Sequence, residues 1–185
     1  TTLHGLGAWA CNGNGTFTDV TAQAGFSTMA LLNTNGVTTG EINNDGFPEV
    51  FITTFVPQSN RLFFNNGNGT FTLMNNWGGQ THVANSFSAA FGDLNLDGFL
   101  DLYVTNWSPT MDVVQIALGQ YMVEAGPSFY YENNGNNTFI ELAEYYGLED
   151  STGCSLGVLI TDFDNDNDPD LFVANDFGYF HGNNG

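Results

Sequence analysis

Oxygen-bearing side chains recur at alternate positions in three short loops, over residues 41–49, 93–101 and 162–170. If each loop curls tightly, the oxygens at positions 1, 3, 5 and 9 and the backbone carbonyl at position 7 converge on one point. Position 6 then needs a left-handed backbone, which Gly or Asn adopts at little cost. The residues are Glu41, Asn43, Asp45, Phe47 and Glu49 in the first loop, Asp93, Asn95, Asp97, Phe99 and Asp101 in the second, and Asp162, Asp164, Asp166, Asp168 and Asp170 in the third.

About six hard oxygen ligands without Cys or His are typical of a calcium site, and magnesium is the second choice because it needs a stricter octahedron. We therefore expect up to three Ca²⁺ ions. An EF-hand is excluded because position 12 is Ile52, Val104 or Val173 instead of Glu, and strands flank the loops. The third loop has the most carboxylates and is expected to bind most tightly, whereas the longer Glu41 and Glu49 predict the weakest site in the first loop.

An ordinary polar turn is the alternative explanation for any one of these loops, because Asp, Asn and Gly dominate turns. Three copies in register, each followed by the same kind of strand, favour the metal site. The charge points the same way. The chain has 20 acidic residues against one basic residue, Arg61, and a net charge of −19, and the three loops hold 11 of those acids. Such crowding is unfavourable without counter-ions.

The same charge excludes some partners. Nucleic-acid binding requires a basic patch, which one arginine cannot supply, and an anionic membrane surface is disfavoured for the same reason. No apolar run approaches the roughly 20 residues of a membrane span. We therefore expect neither a nucleic-acid partner nor a membrane span.

Short strands must position the loops. An Asn-Gly turn between apolar or β-branched runs is a strong hairpin signal. It recurs in step with the acidic loop, so each unit consists of strand, acidic loop, strand, strand, Asn-Gly turn and strand. Four short antiparallel strands in about 50 residues predict an all-β fold of β-propeller-type blades, about three in number. The turns span 11–17, 65–71 and 133–139, and the strands after the acidic loops span 50–54, 102–105 and 171–174.

These units predict a single repeat domain over 1–185, with repeats at about 11–64, 65–132 and 133–185, the last of them incomplete. Sheets are expected over 35–73, over 86–142 and from about 155, and a hairpin over 7–20. The segments 17–26 and 139–148 each predict a strand end, one helical turn and a Gly stop. Residues 108–126 form an insertion whose Ser cap, Pro and apolar spacing predict a short surface helix.

The chain resembles the FG-GAP/VCBS repeat family through the run Phe91-Gly-Asp-Leu-Asn-Leu-Asp-Gly-Phe-Leu-Asp-Leu-Tyr-Val-Thr-Asn106 and the following Asn-Asn-Gly-x-Gly-Thr-Phe type of turn. The resemblance covers nearly the whole chain outside the insertion. It implies integrin-α-like propeller blades, with calcium held between the first two strands of each blade. Asn167 in place of Gly at position 6 and Glu in place of Asp in the first loop depart from the family pattern, and neither abolishes the site.

The unpaired strands at the two ends have two interpretations. Two units are complete, the third lacks a fourth strand, and residues 15–20 are a strand of that missing type. Either the chain is part of a longer propeller, or this strand completes the last blade of a second subunit. The second interpretation predicts a head-to-tail contact, which forms a ring or a filament.

Cysteines and composition bear on the compartment. Cys11 and Cys154 predict either one disulfide in an oxidising compartment or two small buried side chains. The absence of Lys and the abundance of Asn, Thr and Gly favour an extracellular, secreted protein.

No catalytic constellation is evident, because the histidines His4, His82 and His181 are scattered through the repeats. We therefore expect a non-enzyme: a secreted calcium-binding propeller-repeat protein with a structural, self-assembling role. The alternative is a module for cell adhesion that binds a carbohydrate or an extracellular protein. Trp9, Trp77 and Trp107 would stack on sugars in that case, and otherwise belong to the core.

Overall fold

The computed structural model describes residues 6–29, 33–107 and 125–176, and in these residues the fold is all-β. A 3₁₀ turn spans Phe26–Met29, and one short helix, α1, spans Ala143–Tyr146. The strands are β1 (Trp9–Cys11), β2 (Phe17–Asp19), β3 (Thr34–Gly40), β4 (Glu49–Thr54), β5 (Arg61–Asn65), β6 (Phe71–Leu73), β7 (Ser86–Gly92), β8 (Asp101–Asn106), β9 (Phe129–Asn133), β10 (Phe139–Glu141), β11 (Ser155–Thr161) and β12 (Asp170–Asn175).

The strands pair as the repeats predict. The first sheet has the order β3-β4-β5-β6 and the second the order β7-β8-β9-β10, and all neighbours are antiparallel. Strands β11 and β12 form the third sheet, and β1 and β2 form the N-terminal hairpin. The predicted all-β fold with four-stranded antiparallel sheets is therefore confirmed.

The sheets pack face to face, so their central strands are covered on both sides. All six residues of β8 are buried, as in strands enclosed between two layers. Apolar clusters fill the three spaces between consecutive units. They contain Ala24, Phe26, Ile52 and Phe63 between hairpin and first sheet, Ile42, Phe51, Trp77 and Tyr131 between first and second sheets, and Tyr103, Tyr130, Val158 and Ile160 between second and third sheets.

Buried polar bonds repeat at the end of the sheets opposite the acidic loops. The Asn60 amide of the first sheet donates to Ser86 Oγ of the second at 2.9 Å. Ser86 in turn donates to the Asn106 carbonyl oxygen at 2.7 Å. At the next interface the Ser128 hydroxyl donates to Ser155 at 3.3 Å. Since buried polar groups must be paired, these bonds fix the register between neighbouring sheets.

The predicted helical turn and Gly stop are present after β2 and after β10. In the second case the turn is α1, which ends at Gly147 with φ 72°. In the first case Ala24 N–H donates to the Val20 carbonyl at 2.7 Å, the Gly25 φ is 96°, and the chain then continues into the 3₁₀ turn. Glycine suits both positions because it adopts positive φ without a steric cost.

Several expectations fall on residues that the structure does not describe. Residues 108–124 of the predicted helical insertion, His4 and His181 all lie outside the described ranges. Both cysteines are described and carry free thiols, so the disulfide predicted as one alternative is not formed in this structure. Cys154 is buried, as the other alternative predicts, whereas Cys11 is exposed on the N-terminal hairpin.

Candidate metal centres

Each acidic loop joins the first strand of a sheet to the second. Gly40 pairs with Glu49, Gly92 with Asp101, and Thr161 with Asp170, so the three loops close the same end of the three sheets. The predicted left-handed backbone at position 6 is confirmed, and position 4 is also left-handed, which the sequence analysis missed. The φ angles are 87° at Gly46, 89° at Gly98, 76° at Asn167, 61° at Asn44, 59° at Leu96 and 63° at Asn165.

The carboxylate at position 1 closes every loop by accepting the N–H of position 6. The distances are 2.7 Å from Gly46 to Glu41 Oε2, 3.0 Å from Gly98 to Asp93 Oδ2 and 3.0 Å from Asn167 to Asp162 Oδ2. The longer Glu41 therefore reaches the same donor as the two aspartates. The backbone N–H groups, that of Gly46 foremost, lower the pKa of Glu41 and keep this carboxylate ionised.

Positions 3 and 5 hold the turn through bonds from side chain to backbone. Asn43 Oδ1 accepts the N–H of Asp45 at 3.1 Å, and Asp45 Oδ1 accepts that of Phe47 at 2.8 Å. The second loop repeats both contacts through Asn95 and Asp97, at 3.0 and 2.9 Å. Each Asn amide also donates to the neighbouring Asp carboxylate at 3.1 Å, which offsets part of the negative charge.

The third loop lacks that amide because position 3 is Asp164. One of its carboxylate oxygens and one from each of Asp162 and Asp166 lie within 4.8 Å of one another, and all three side chains are exposed. Asp166 and Asp168 share a hydrogen bond, which lowers the pKa of Asp166 and raises that of Asp168. Closely spaced oxygen ligands without nitrogen or sulfur fit a calcium ion.

The carboxylates at position 9 of the first two loops are fully buried, which distinguishes them from the others. Asp101 accepts the N–H of Leu94 at 3.1 Å, the N–H of Asn133 at 2.9 Å and the hydroxyl of Tyr130 at 2.9 Å. Burial raises the pKa of Asp101. This residue therefore ties the loop to the third strand, in addition to the ligand role predicted for it.

Glu49 has the same place in the first loop. It accepts the N–H of Ile42 at 3.2 Å and that of Asn65 at 3.4 Å, and burial raises its pKa. Asp170 of the third loop is only partly buried and accepts the N–H of Phe163 at 3.1 Å. The Asn that ends the third strand in each of the first two sheets was the sequence feature that could have predicted this contact.

Position 7, which is predicted to offer a backbone carbonyl, also packs against the Asn-Gly turn in the first two loops. A Cβ atom at Gly67 would lie 2.9 Å from the Phe47 ring, and one at Gly135 would lie 3.1 Å from the Phe99 ring. The two phenyl rings therefore cover the Asn-Gly turn of their own sheet, and Asp168 occupies this position in the third loop.

Neighbouring loops also touch each other. The Asn44 amide donates to the Gly98 carbonyl at 3.2 Å, and the Asn133 amide donates to the Ile42 carbonyl at 2.8 Å. The first and second loops are thus linked across the interface between their sheets. A cation that orders one of them would restrain the other.

Two of the remaining candidate residues, His82 and Trp77, have structural roles. His82 Nδ1 lies 2.9 Å from the Tyr131 hydroxyl, and its ring stacks on the Tyr131 ring. Trp77 is fully buried in the core, so it is not a sugar-stacking platform, whereas Trp9 is 63% exposed. In the described residues, no helix is long and apolar enough to cross a membrane.

This geometry defines a class of protein: an all-β protein made of repeated sheets, each with an acidic loop between its first two strands. The FG-GAP-like repeat matches residues 41–104 and 111–173, which together cover more than half of the chain. The chain therefore belongs to the FG-GAP-like repeat family. A comparison with curated proteins found no significant match.

Proposed function

We propose that this protein is a secreted, extracellular calcium-binding module of the β-propeller type, with a non-enzymatic structural and self-assembling role. The observation that carries the proposal is the convergence of Asp162, Asp164 and Asp166 within 4.8 Å, in a loop whose backbone recurs in two other sheets. Calcium is the cation whose size and preference for oxygen match such a loop. Each loop holds one ion in this proposal, and the third loop binds most tightly.

A calcium titration followed by thermal unfolding tests the proposal. A ligand that binds only the folded state stabilises it by about 2.7 kcal/mol at a concentration 100-fold above Kd. For a chain of this length that corresponds to an increase in melting temperature of about 5–10 °C. Sites of extracellular modules have Kd values of about 10⁻⁴–10⁻³ M, so the titration must reach tens of millimolar. An unchanged melting temperature in calcium and in chelator would contradict the proposal.

Asp164→Asn provides a specific variant, because it gives the third loop the Asn found at position 3 of the other two loops. We expect this variant to be more stable than the parent in chelator, since it removes repulsion among three carboxylates. The increase in its melting temperature on addition of calcium should be smaller than that of the parent. Glu144→Gln, which removes an equal charge from an exposed position on α1, is the matched control and should leave the calcium response unchanged.

The self-assembling role rests on the two ends of the described sheet array. β12 exposes Phe172 to 47%, although the equivalent Phe51 and Tyr103 of the first two sheets are buried. The N-terminal hairpin exposes Trp9 and Phe17 to 63% and 65%. In a β-propeller both faces of each sheet are covered by neighbouring blades. In this proposal, a second copy of the chain covers the apolar side chains at the two ends of the array. Sedimentation velocity in calcium tests this, because a chain that stays monomeric would contradict it.

An adhesive role is the second candidate, and the exposed Trp9 favours it. Indole rings stack on sugar faces and are common anchors in protein interfaces. Binding to a glycan array or to extracellular-matrix proteins that is lost in Trp9→Ala, with self-association unchanged, would favour adhesion over assembly.

A further inference from the structure

The first and second acidic loops are joined through the side chain at position 4 of the first loop. The Asn44 amide donates at 3.2 Å to the carbonyl of Gly98, which is position 6 of the second loop. Both residues are exposed, and both have a left-handed backbone, with φ 61° and 89°. The bond thus connects the outer turns of two loops that belong to different sheets.

Each end of this bond lies next to predicted metal ligands. Asn44 stands between Asn43 and Asp45, which are positions 3 and 5 of the first loop. The Gly98 N–H donates to Asp93 Oδ2 at 3.0 Å, so the turn that accepts the Asn44 amide also holds the position 1 ligand of the second loop. A cation bound by Asn43 and Asp45 would fix the amide between them, and through it the turn that positions Asp93.

Beneath this bond, the buried Asn133 holds the two loops beside each other. Its amide donates to the Ile42 carbonyl of the first loop at 2.8 Å and to the Leu100 carbonyl of the second loop at 3.0 Å. These carbonyls belong to positions 2 and 8, which carry no predicted ligand. Asn133 therefore keeps the loops adjacent, and Asn44 is the contact that reaches the ligand positions.

The second and third loops approach each other in a similar way, but position 4 provides no link between them. A Cβ atom at Gly40 would lie 2.5 Å from the Phe91 ring, and one at Gly92 would lie 2.5 Å from the Ile160 side chain, so successive sheets are similarly close at this end. Position 4 of the second loop is Leu96, which is 60% exposed and has no side-chain donor. Only the first loop therefore carries an amide at position 4 that reaches the next loop.

We propose that the first and second cation sites bind cooperatively, and that the Asn44 amide is the link between them. The proposal rests on the calcium binding proposed above and identifies its regulation. An ion in either loop orders residues that the other loop must order in turn, so the second ion loses less conformational entropy on binding. The coupling is reciprocal, so it does not depend on which of the two loops fills first.

The test measures the calcium concentration at which each loop becomes protected from hydrogen exchange, followed by mass spectrometry of peptides from the three loops. Asp45→Asn removes a ligand of the first site. It should raise the midpoint of the second loop by about 2- to 10-fold, the factor that one hydrogen bond supplies. Asp166→Asn removes an equal charge at position 5 of the third loop, and it should affect the second loop less.

Asn44→Gly identifies the link, because glycine keeps the positive φ and removes only the side-chain amide. In this background, Asp45→Asn should no longer shift the midpoint of the second loop. Asn165→Gly is the matched control, since Asn165 occupies position 4 of the third loop with φ 63°. The shift caused by Asp45→Asn should persist in that control. Circular dichroism in chelator verifies that each variant is folded.

Leu96→Asn tests the link by addition, because it gives the second loop the donor that Asn44 supplies in the first. The effect of Asp166→Asn on the second loop should then increase. If calcium protects the loops but Asp45→Asn leaves the second loop unchanged, or still shifts it fully in Asn44→Gly, the coupling through Asn44 is wrong while calcium binding stands. If calcium protects none of the loops, both proposals are wrong.

Discussion

Replacing Asp101 by Asn probes the tie between the acidic loop and the third strand with almost no change in volume. The carboxylate accepts three hydrogen bonds at 2.9–3.1 Å in a fully buried site. An amide offers one oxygen and one NH₂ group in the same place. Whichever way the amide is oriented, the N–H of either Leu94 or Asn133 faces another donor, although the Tyr130 hydroxyl can rotate to accept.

The cost follows from these contacts. A buried N–H left without an acceptor costs about 1–3 kcal/mol, and bonds to a charged acceptor are stronger than bonds to a neutral one by about 1 kcal/mol. Relief of the buried charge, whose burial raises the pKa of Asp101, offsets part of this loss. We expect a net destabilisation of about 2–4 kcal/mol, and a decrease in melting temperature of about 5–15 °C for a chain of this length.

Thermal and urea unfolding in excess chelator measure the effect without any contribution from a bound ion. Asp97→Asn is the control in the same loop, because Asp97 is exposed and an amide oxygen can keep its bond to the Phe99 N–H. Its cost should stay within about 0.5 kcal/mol. Equal losses in the two variants would refute the structural role of Asp101.

Two further predictions concern pH and backbone approach. In chelator, the difference in unfolding free energy between the parent and Asp101→Asn should narrow as the pH rises from about 4. Burial raises the pKa of Asp101 in the folded state, so this carboxyl group ionises at a lower pH in the unfolded chain and the parent loses stability. A free-energy difference that widens with pH in urea titrations would contradict the pKa direction. Gly78→Ala should lower the free energy of unfolding by about 2–4 kcal/mol, since it adds strain at φ 114° and displaces the Phe139 backbone, whose N–H donates to the Trp77 carbonyl. Gly13→Ala is the control, with φ 76° and open space around the Cβ position, and should cost about 1 kcal/mol. Comparable losses in the two variants would argue against a stabilising role for the close contact between Gly78 and Phe139.

The repeats and the strand order followed from the sequence because both signals are local. Asn-Gly turns and alternating apolar residues specify hairpins without reference to distant residues. The left-handed position 6 followed in the same way from Gly46 and Gly98. Leu96 shows the limit: leucine does not favour positive φ, and only the closed geometry of the loop places it there.

The buried roles of position 9 were beyond a sequence analysis for another reason. Acidic residues are seldom fully buried, and nothing near Asp101 in the sequence shows that Tyr130 and Asn133 will supply donors. Trp77 is similar, because its burial depends on Tyr131 and Phe139 of the next sheet. Contacts with distant strands decide both residues, in the same sheet for Asp101 and in the next sheet for Trp77, and the partners lie about 30 to 60 residues away.

The acids of one loop divide into two groups with different consequences for metal removal. Those at positions 1 and 5, together with the position 3 acid of the third loop, gather charge at the exposed end of the sheet, while those at position 9 of the first two loops hold the loop to the third strand through buried bonds. Because the buried bonds do not involve the exposed cluster, the sheets should persist without calcium. The third loop concentrates the most charge, and its position 9 residue, Asp170, is the least buried of the three, so chelation should loosen this end of the array first. Hydrogen exchange in chelator should therefore rise at β11 and β12 before it rises at β4 and β8, and a uniform rise would show that the ions stabilise the whole array.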